Sequence, residues 1–439
     1  MGFLSFLSSK PGQDVAAPTA GVGAPGAAPV PAAPPQTMLR REEVIDEKNR
    51  LCGYRFSLQS SDPHVPHPET EFIAALEQAH IAQFAERRLA VIPLTLDAVV
   101  FKRHLPLMTP NTAFLIDRNQ AKLPVQQLAG RMLALKESGC QVALCGATME
   151  QDQAPLFDAC DIAFLRPGDT TLPQFQAMTR ELRALYPSLA LAADGVQTWD
   201  EQRMCLAWGF RYCLGDFLTT TDKLDPDAKI DQGRLTSIEM LNLLRSDSEL
   251  SALVEVAKQD PGITFQVLKW ANAPAAGQST AVTSLAQAIV VLGRNSLYRW
   301  LTVSMFRLGA QRERDESLLE VALTRARFLE MVGEAALSEA QRDEVFLVGL
   351  LSLFDILLGM PMQAILAKMH LSDAVRDVLL RSSGPYGPYL MLVLMVEKGM
   401  AARAAQIATG LGIDPATLSQ TSTDAFHWAQ ESLQHTLGG

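Results

Sequence analysis

The sequence has few residues in the spacings that form disulfides or bind metals. Its six cysteines contain no Cys-x-x-Cys pair, and all lie in the first half of the 439 residues. Several interrupt apolar runs, as Cys145 does in "QVALCGA". Reduced, buried thiols of a cytoplasmic protein are therefore expected, which excludes a disulfide-rich secreted scaffold. The seven histidines show no zinc-ligand spacing.

The sequence also lacks an excess of positive charge: its 48 Asp and Glu residues outnumber its 38 Lys and Arg residues, which gives a formal net charge of −10. Nucleic-acid binding requires a basic field, so we expect no nucleic-acid partner. A glycine-rich phosphate loop after the first apolar run is missing as well. That absence weakens a doubly wound, dinucleotide-binding sheet as the fold.

The sequence lacks a convincing membrane-spanning run. The best candidate, 345–362 ("VFLVGLLSLFDILLGMPM"), is barely long enough and contains Asp355 and Pro361. We expect a buried helix of an all-α region there. The first ten residues carry no basic segment, so no secretory signal is expected.

Large side chains are almost absent from residues 11–37, which consist mainly of Ala, Pro and Gly. Such a segment cannot form a core, and residues 1–38 are predicted to be a disordered tail. It carries an apolar tip, Phe3-Leu4 and Phe6-Leu7. The favoured interpretation of the tip is a frayed terminus, and the alternative is a peptide that docks on a partner or a membrane surface.

Short apolar runs alternate with amphipathic segments from about 40 to 225. The runs are 53–58, 89–94, 113–117, 141–145, 162–166, 189–194 and 212–218, with a possible eighth at 43–46. Runs that are apolar throughout and separated by helices indicate a parallel sheet covered by helices. Their number favours a (β/α) barrel over residues 39–228, with an open doubly wound sheet as the competitor.

The strand pattern ends near residue 230. Apolar residues then recur every three or four positions, which predicts an all-α domain over 229–439. Within it, Asp260-Pro261 reads as the N-cap and first residue of a helix, and Asn272 as a residue that caps its end or bonds a neighbouring turn.

Particular motifs resemble two known families. "GYRFSL", "QVALCGA", "AADGVQTWDEQ" and "GFRYCLGDF" follow the order of an EAL domain, the barrel that hydrolyses cyclic di-GMP. "DPGITFQVLKWANAP", "TSLAQAIVVLG" and "VGLLSLFDILLG" are similar to an HDOD domain. The resemblance covers roughly residues 40–435. It implies a TIM-type α/β barrel followed by an all-helical HDOD bundle.

The EAL resemblance implies a cage of carboxylates and an Asn that holds two divalent cations, and most of that cage is replaced here. The name-giving Glu aligns with Arg55, the phosphate-binding Arg with Gln59, and the Asn with Pro93. A third-strand Glu becomes Asp117, the Asp-Asp pair becomes Cys145-Gly146, and a Lys and an Asp become Phe164 and Arg166. The two Glu of the next motif align with Asp194 and Gln197, and a late Gln with Leu214.

The helical half also lacks metal-binding residues that its catalytic relatives carry. Catalytic relatives of the HDOD fold carry a metal-binding His-Asp pair in a "GLLHD" context, where this chain reads Gly349-Leu350-Leu351-Ser352-Leu353. We therefore expect no metal and no cofactor in either half, and a chain that is not an enzyme.

The leading hypothesis is a bacterial cytoplasmic signalling scaffold that binds signalling proteins through its HDOD-like half. Phe265, Leu268 and Trp270 are the candidate partner-binding residues, and homodimerisation stays open. One alternative is a receptor that binds cyclic di-GMP without cleaving it. Another is a hydrolase with an unrecognised site, for which the sequence shows no Ser-His-Asp, Cys-His or metal pattern.

Overall fold

The computed structural model describes residues 36–437, apart from 63, 65–67, 247, 273–280 and 309–311. The predicted apolar tip and nearly all of the predicted disordered tail lie outside the described residues.

The first half forms a closed barrel of eight strands in chain order. The strands are β1 Thr37–Asp46, β2 Leu51–Ser60, β3 Leu89–Pro93, β4 Thr112–Asp117, β5 Gln141–Cys145, β6 Ile162–Leu165, β7 Ala190–Ala193 and β8 Tyr212–Leu214. Strands β2 to β8 are parallel, while β1 is antiparallel to both of its neighbours, β2 and β8. The barrel prediction is confirmed, including the eighth strand, and the open sheet is wrong.

The strands of the barrel are apolar on both faces, because one face lines the interior and the other lies under the helices. Inward side chains such as Val44, Val91, Leu115 and Leu214 form one buried cluster inside the barrel. Outward side chains join the larger core under the helices. These helices are α1 Glu69–Gln78, α2 Ile81–Ala85, α3 Leu96–Val100, α4 Val125–Glu137, α5 Ala154–Asp158, α6 Leu172–Leu185 and α7 Trp199–Ala207.

The second half is entirely helical in its described residues. Its helices are α8 Gln232–Arg245, α9 Leu250–Lys258, α10 Pro261–Ala271, α11 Leu285–Leu292, α12 Arg294–Ser304, α13 Arg312–Val332, α14 Glu339–Leu351, α15 Phe354–Leu358, α16 Met362–Leu366, α17 Asp373–Arg381, α18 Gly387–Glu397, α19 Ala401–Gly410 and α20 Leu418–Leu437. The predicted division at residues 228 and 229 falls in the connection before α8, and it stays a prediction.

Local signals in the helical half act as predicted. The Asp260 carboxylate accepts hydrogen bonds from the backbone N–H groups of Gly262 and Ile263, and Pro261 is the first residue of α10. The Asn272 side chain exchanges two 2.8 Å hydrogen bonds with the backbone of Val282. The candidate membrane run 345–362 is divided between α14 and α15. Among the described residues, no helix is long and apolar enough to cross a membrane.

The outward face of β1 and β2 packs against the helical half rather than against barrel helices alone. Glu320 of α13 is buried, and its carboxylate accepts hydrogen bonds from the Tyr54 hydroxyl at 2.7 Å and from Arg88 at 2.8 Å. Arg41 of β1 donates to the Ser422 hydroxyl of α20 at 2.7 Å. A cavity of about 40 Å³ remains in this interface. Burial raises the pKa of Glu43, which lines it, to about 7.

Candidate functional site

The candidate site lies at the mouth of the barrel, where the parallel strands end. Parallel strands bring the side chains at their carboxyl ends to one face, which is where barrel enzymes place catalytic groups. Because β1 is antiparallel, its amino-terminal half lies at this same end. Register places Glu42 of β1 opposite Arg55 of β2.

Arg55 is the centre of this mouth. Its Nη2 lies 2.5 Å from a Glu42 carboxylate oxygen and 2.8 Å from an Asp194 oxygen, and its Nε donates to Glu42 at 2.9 Å. The Arg55 guanidinium on β2 therefore joins the Glu42 carboxylate of β1 to the Asp194 carboxylate that follows β7. Burial lowers the pKa of Arg55, but the carboxylates outweigh burial and raise it above its ordinary value.

Asp194 is shared between two arginines. Its second carboxylate oxygen accepts a 2.9 Å hydrogen bond from Nη2 of Arg166. Burial raises the pKa of Asp194, but the hydrogen bonds and charges of Arg55 and Arg166 outweigh it and hold the pKa below its ordinary value. Both oxygens of the Asp194 carboxylate therefore accept hydrogen bonds from arginine guanidinium groups.

Asp117, Cys145 and Gln197 lie at the mouth without bonding to Arg55, whereas the Phe164 ring lies beneath it, with the Arg55 guanidinium carbon 6.0 Å from the ring centroid. The Asp117 carboxylate accepts the backbone N–H of Asn119 at 2.9 Å. Cys145 is half-buried, and burial together with Asp117 and Asp194 raises the pKa of its thiol to about 12. Gln197 is exposed and donates to its own loop at the Gly195 carbonyl, 3.1 Å away.

A pair of divalent cations does not fit the mouth in this arrangement. Hard cations need several free carboxylate oxygens, whereas arginines engage the carboxylates of Glu42 and Asp194. Across the described ranges, no group of three or more His, Cys, Asp or Glu residues is placed to hold a metal. We derive no chemistry through a metal at this mouth.

In the helical half, an arginine bonds to Ser352, the residue that aligns with the metal-binding His of the catalytic relatives. Arg325 of α13 is almost fully buried and donates to the Ser352 hydroxyl at 2.7 Å. It also forms two hydrogen bonds of 2.9 and 2.8 Å with the Glu397 carboxylate. Burial raises the pKa of the nearby Asp355 to about 6. The motif comparison pointed to Ser352 but gave no signal for Arg325 or Glu397.

The three predicted partner-binding residues occupy different environments on α10. Phe265 is 64% exposed, Leu268 is partly buried and Trp270 is 9% exposed. The Trp270 ring stacks on Trp300 with centroids 5.5 Å apart. The structure therefore brings Phe265 to the surface and places Trp270 in the core.

Part of the helical half is similar to a known protein family. Residues 236–373 match the model described as "HDOD domain". An HDOD domain behind a closed barrel is the architecture that the sequence resemblance implied.

Two curated relatives align over larger parts of the chain. "Cyclic di-GMP phosphodiesterase CdgJ" of Vibrio cholerae is 21% identical over 75% of this chain and 76% of its own length. "Uncharacterized protein YuxH" of Bacillus subtilis is 26% identical over 48% of this chain, which spans about half (51%) of that relative. The solved structure of an EAL protein from Vibrio cholerae in its c-di-GMP bound form aligns with 42% of this chain and with 91% of its own length. The sequence identity is 11% and the TM-score is 0.33.

The comparisons correct one prediction. From the replaced metal ligands we predicted that the chain is not an enzyme, but the Vibrio cholerae relative that aligns with 75% of it is named a phosphodiesterase. The prediction is wrong by this comparison, and we withdraw it.

Proposed function

We propose that this protein acts in cyclic di-GMP-linked signalling and that its HDOD-like half binds a protein partner through α10. The observation that carries the proposal is a pair of exposed apolar side chains on adjoining helices, Phe265 of α10, which is 64% exposed, and Val290 of α11. Single exposed apolar side chains are ordinary on protein surfaces, whereas neighbouring ones form a patch that marks an interaction site, and aromatic side chains supply much of the energy of protein interfaces.

The surroundings of Phe265 support this proposal. Val290 of α11 is 67% exposed, and α10 and α11 pack against each other. Among the described residues 236–373, these two are the large apolar side chains with the highest exposure. Trp270 stacks beneath the helix and holds it in place, so the proposed contact surface consists of Phe265, Val290 and the partly buried Leu268.

Replacing Phe265 by glutamate should weaken partner binding by about 30-fold or more, because a buried aromatic contact at an interface contributes about 2 kcal/mol. The partner is first captured by the full chain and identified by cross-linking mass spectrometry. Its affinity for the wild-type chain and the variant is then measured by calorimetry.

The matched control is Phe101→Glu in the barrel half, since Phe101 is 65% exposed. Partner binding should be unchanged in this control. If Phe265→Glu binds the partner as the wild-type chain does, α10 is not the contact surface.

Hydrolysis of cyclic di-GMP is a second candidate, favoured by the name of the Vibrio cholerae relative that spans 75% of the chain. The mouth would have to rearrange for this reaction, since Asp194 is held by Arg55 and Arg166. Rearrangement on ligand binding is the step that this candidate requires.

If the second candidate holds, product forms from cyclic di-GMP with Mg²⁺ or Mn²⁺ and is lost in Asp194→Asn and Asp117→Asn. Chromatography of the product measures the rate, and Phe265→Glu should retain it. A full chain that gives no product with either metal contradicts this candidate. Calorimetry of the same samples measures whether cyclic di-GMP binds.

A further inference from the structure

Glu43 lies where the outer face of β1 meets the helical half. Side chains alternate along a strand, so Glu43 points to the same face of β1 as Arg41. Both residues line the cavity of about 40 Å³ in this interface, together with Tyr54 of β2 and with Arg325 and Glu397 of the helical half. The cavity has room for about three water molecules. Glu43 is therefore a carboxyl group set inside the interface, beside a small polar cavity.

The polar groups that β2 and α13 bring to this cavity are bonded elsewhere. The Tyr54 hydroxyl donates to the Glu320 carboxylate at 2.7 Å. Arg325 is paired with Glu397 through two hydrogen bonds of 2.9 and 2.8 Å. These groups do not neutralise Glu43, and the negative charge of Glu397 disfavours a second carboxylate beside it.

The charged neighbours of Glu43 on β1 do not pair with it either. Arg41 donates from Nη2 to the Ser422 hydroxyl of α20 at 2.7 Å. Arg40 and Glu42 lie on the other face of the strand, and their opposite charges act against each other at Glu43. Among the residues that the structure describes, no other side chain forms a hydrogen bond or an ion pair with the Glu43 carboxylate. This interface therefore contains an acid without a direct counter-charge.

We propose that Glu43 is a proton-sensitive contact between the barrel and the helical half. When the proton is bound, a neutral carboxyl group lies beside Glu397 and the two halves pack tightly. When the proton is lost, an uncompensated charge remains in a poorly solvated place, so the contact between β1 and the helices loosens to admit water. This inference depends neither on the partner of the HDOD-like half nor on the reaction of the barrel.

The direction of the pH effect follows from the pKa of Glu43. Burial raises this pKa from its ordinary value of 4.5 to about 7; Glu397 and Glu42 raise it further, whereas the backbone N–H of Glu43 and the charge of Arg40 lower it. A carboxyl group with a raised pKa stabilises the fold fully below its unfolded pKa and loses that contribution as pH rises through the folded one. The contact should therefore weaken from about pH 4.5 to about pH 7 and change little above it.

The experiment compares the full chain with Glu43→Gln, which keeps the shape of the protonated carboxyl group and cannot ionise. Urea midpoints followed by circular dichroism should differ little at pH 5, whereas at pH 8 the wild-type midpoint should be lower by about 0.5 M. The matched control is Glu77→Gln, since Glu77 is exposed on α1 of the barrel. The midpoint of this control should follow that of the wild type at both pH values.

Hydrogen exchange measured by mass spectrometry locates the effect. At pH 8, β1 and α20 should exchange about tenfold faster in the wild-type chain than in Glu43→Gln, because one unit of pKa difference is a tenfold change in an equilibrium. Strand β5, on the opposite side of the closed barrel, should exchange equally in both chains.

Three results would overturn the proposal. The first is a midpoint difference between Glu43→Gln and wild type that is the same at pH 5 and pH 8. The second is the same pH-dependent difference in Glu77→Gln. The third is exchange in β5 that changes as much as exchange in β1, because the proton would then act on the whole fold rather than on this interface.

Discussion

Arg55→Met should destabilise the folded protein by about 3–5 kcal/mol at neutral pH, because the buried Glu42 carboxylate loses its hydrogen bonds from Arg55 and Asp194 keeps only Arg166. The Glu42 and Asp194 carboxylates are each only about one-tenth exposed, 12% and 11%, and both face the Arg55 guanidinium. Methionine preserves much of the side-chain volume, so the loss reports on charge. Urea unfolding followed by circular dichroism measures it.

The pH dependence of this loss follows from Asp194. Its pKa is lowered in the wild-type fold, so its contribution to stability is present above the unfolded pKa and disappears as pH falls through the folded one. Without Arg55, only Arg166 remains to lower the pKa of Asp194. The difference between variant and wild type should therefore persist from pH 7 down to about pH 4 and shrink below it.

Arg203→Met is the control for Arg55→Met. Arg203 also bonds two carboxylates, those of Asp200 and Asp222, but its side chain is 46% exposed. Its loss should stay below about 1 kcal/mol. Equal losses in the two variants would show that the mouth network contributes no more than a surface ion pair.

Glu320→Ala should also cost about 3–5 kcal/mol, since it leaves the Tyr54 hydroxyl and the Arg88 guanidinium without their buried acceptor. The loss should be concentrated where β2 meets α13. Hydrogen exchange measured by mass spectrometry is expected to rise in both segments, together with a lower urea midpoint.

Glu255→Ala provides the comparison for Glu320→Ala, because Glu255 forms an exposed ion pair with Lys258 on α9. That variant should unfold within about 1 kcal/mol of wild type. Unchanged exchange in β2 and α13 of Glu320→Ala would mean that this interface does not depend on its buried carboxylate.

Continuous apolar runs were enough to predict the parallel strands of the barrel, but they predicted β1 only at 43–46. This strand begins at Thr37, and its first half contains the charged stretch Arg40–Glu43. Charged residues normally argue against a buried strand. Here they are tolerated because Glu42 pairs with Arg55 on the inner face and Arg41 bonds Ser422 on the outer face. Ser422 is 381 positions from Arg41, whereas Arg55 lies on the neighbouring strand, 13 positions from Glu42.

In the candidate site, only those features that depended on a single aligned residue could be predicted from the sequence. Aligning Arg55 with a metal-binding Glu correctly placed a cation at the mouth. Its engagement of Glu42 could not be predicted, because Glu42 lies on a strand outside the motif. Trp270 fitted either a core or a groove by helical spacing, and the choice depended on Trp300, which is stacked against it.

The contact between β1 and α20 has a consequence for synthesis on the ribosome. The backbone N–H of Leu39 donates to the Ser419 hydroxyl across 380 positions of sequence, and Arg41 lies over the Phe426 ring. Strand β1 is therefore covered by a helix that is translated 380 positions later. Until then its outer face remains open to chaperones. A transcript cut short before α20 would yield a product whose barrel, although completely translated, is exposed to proteolytic quality control.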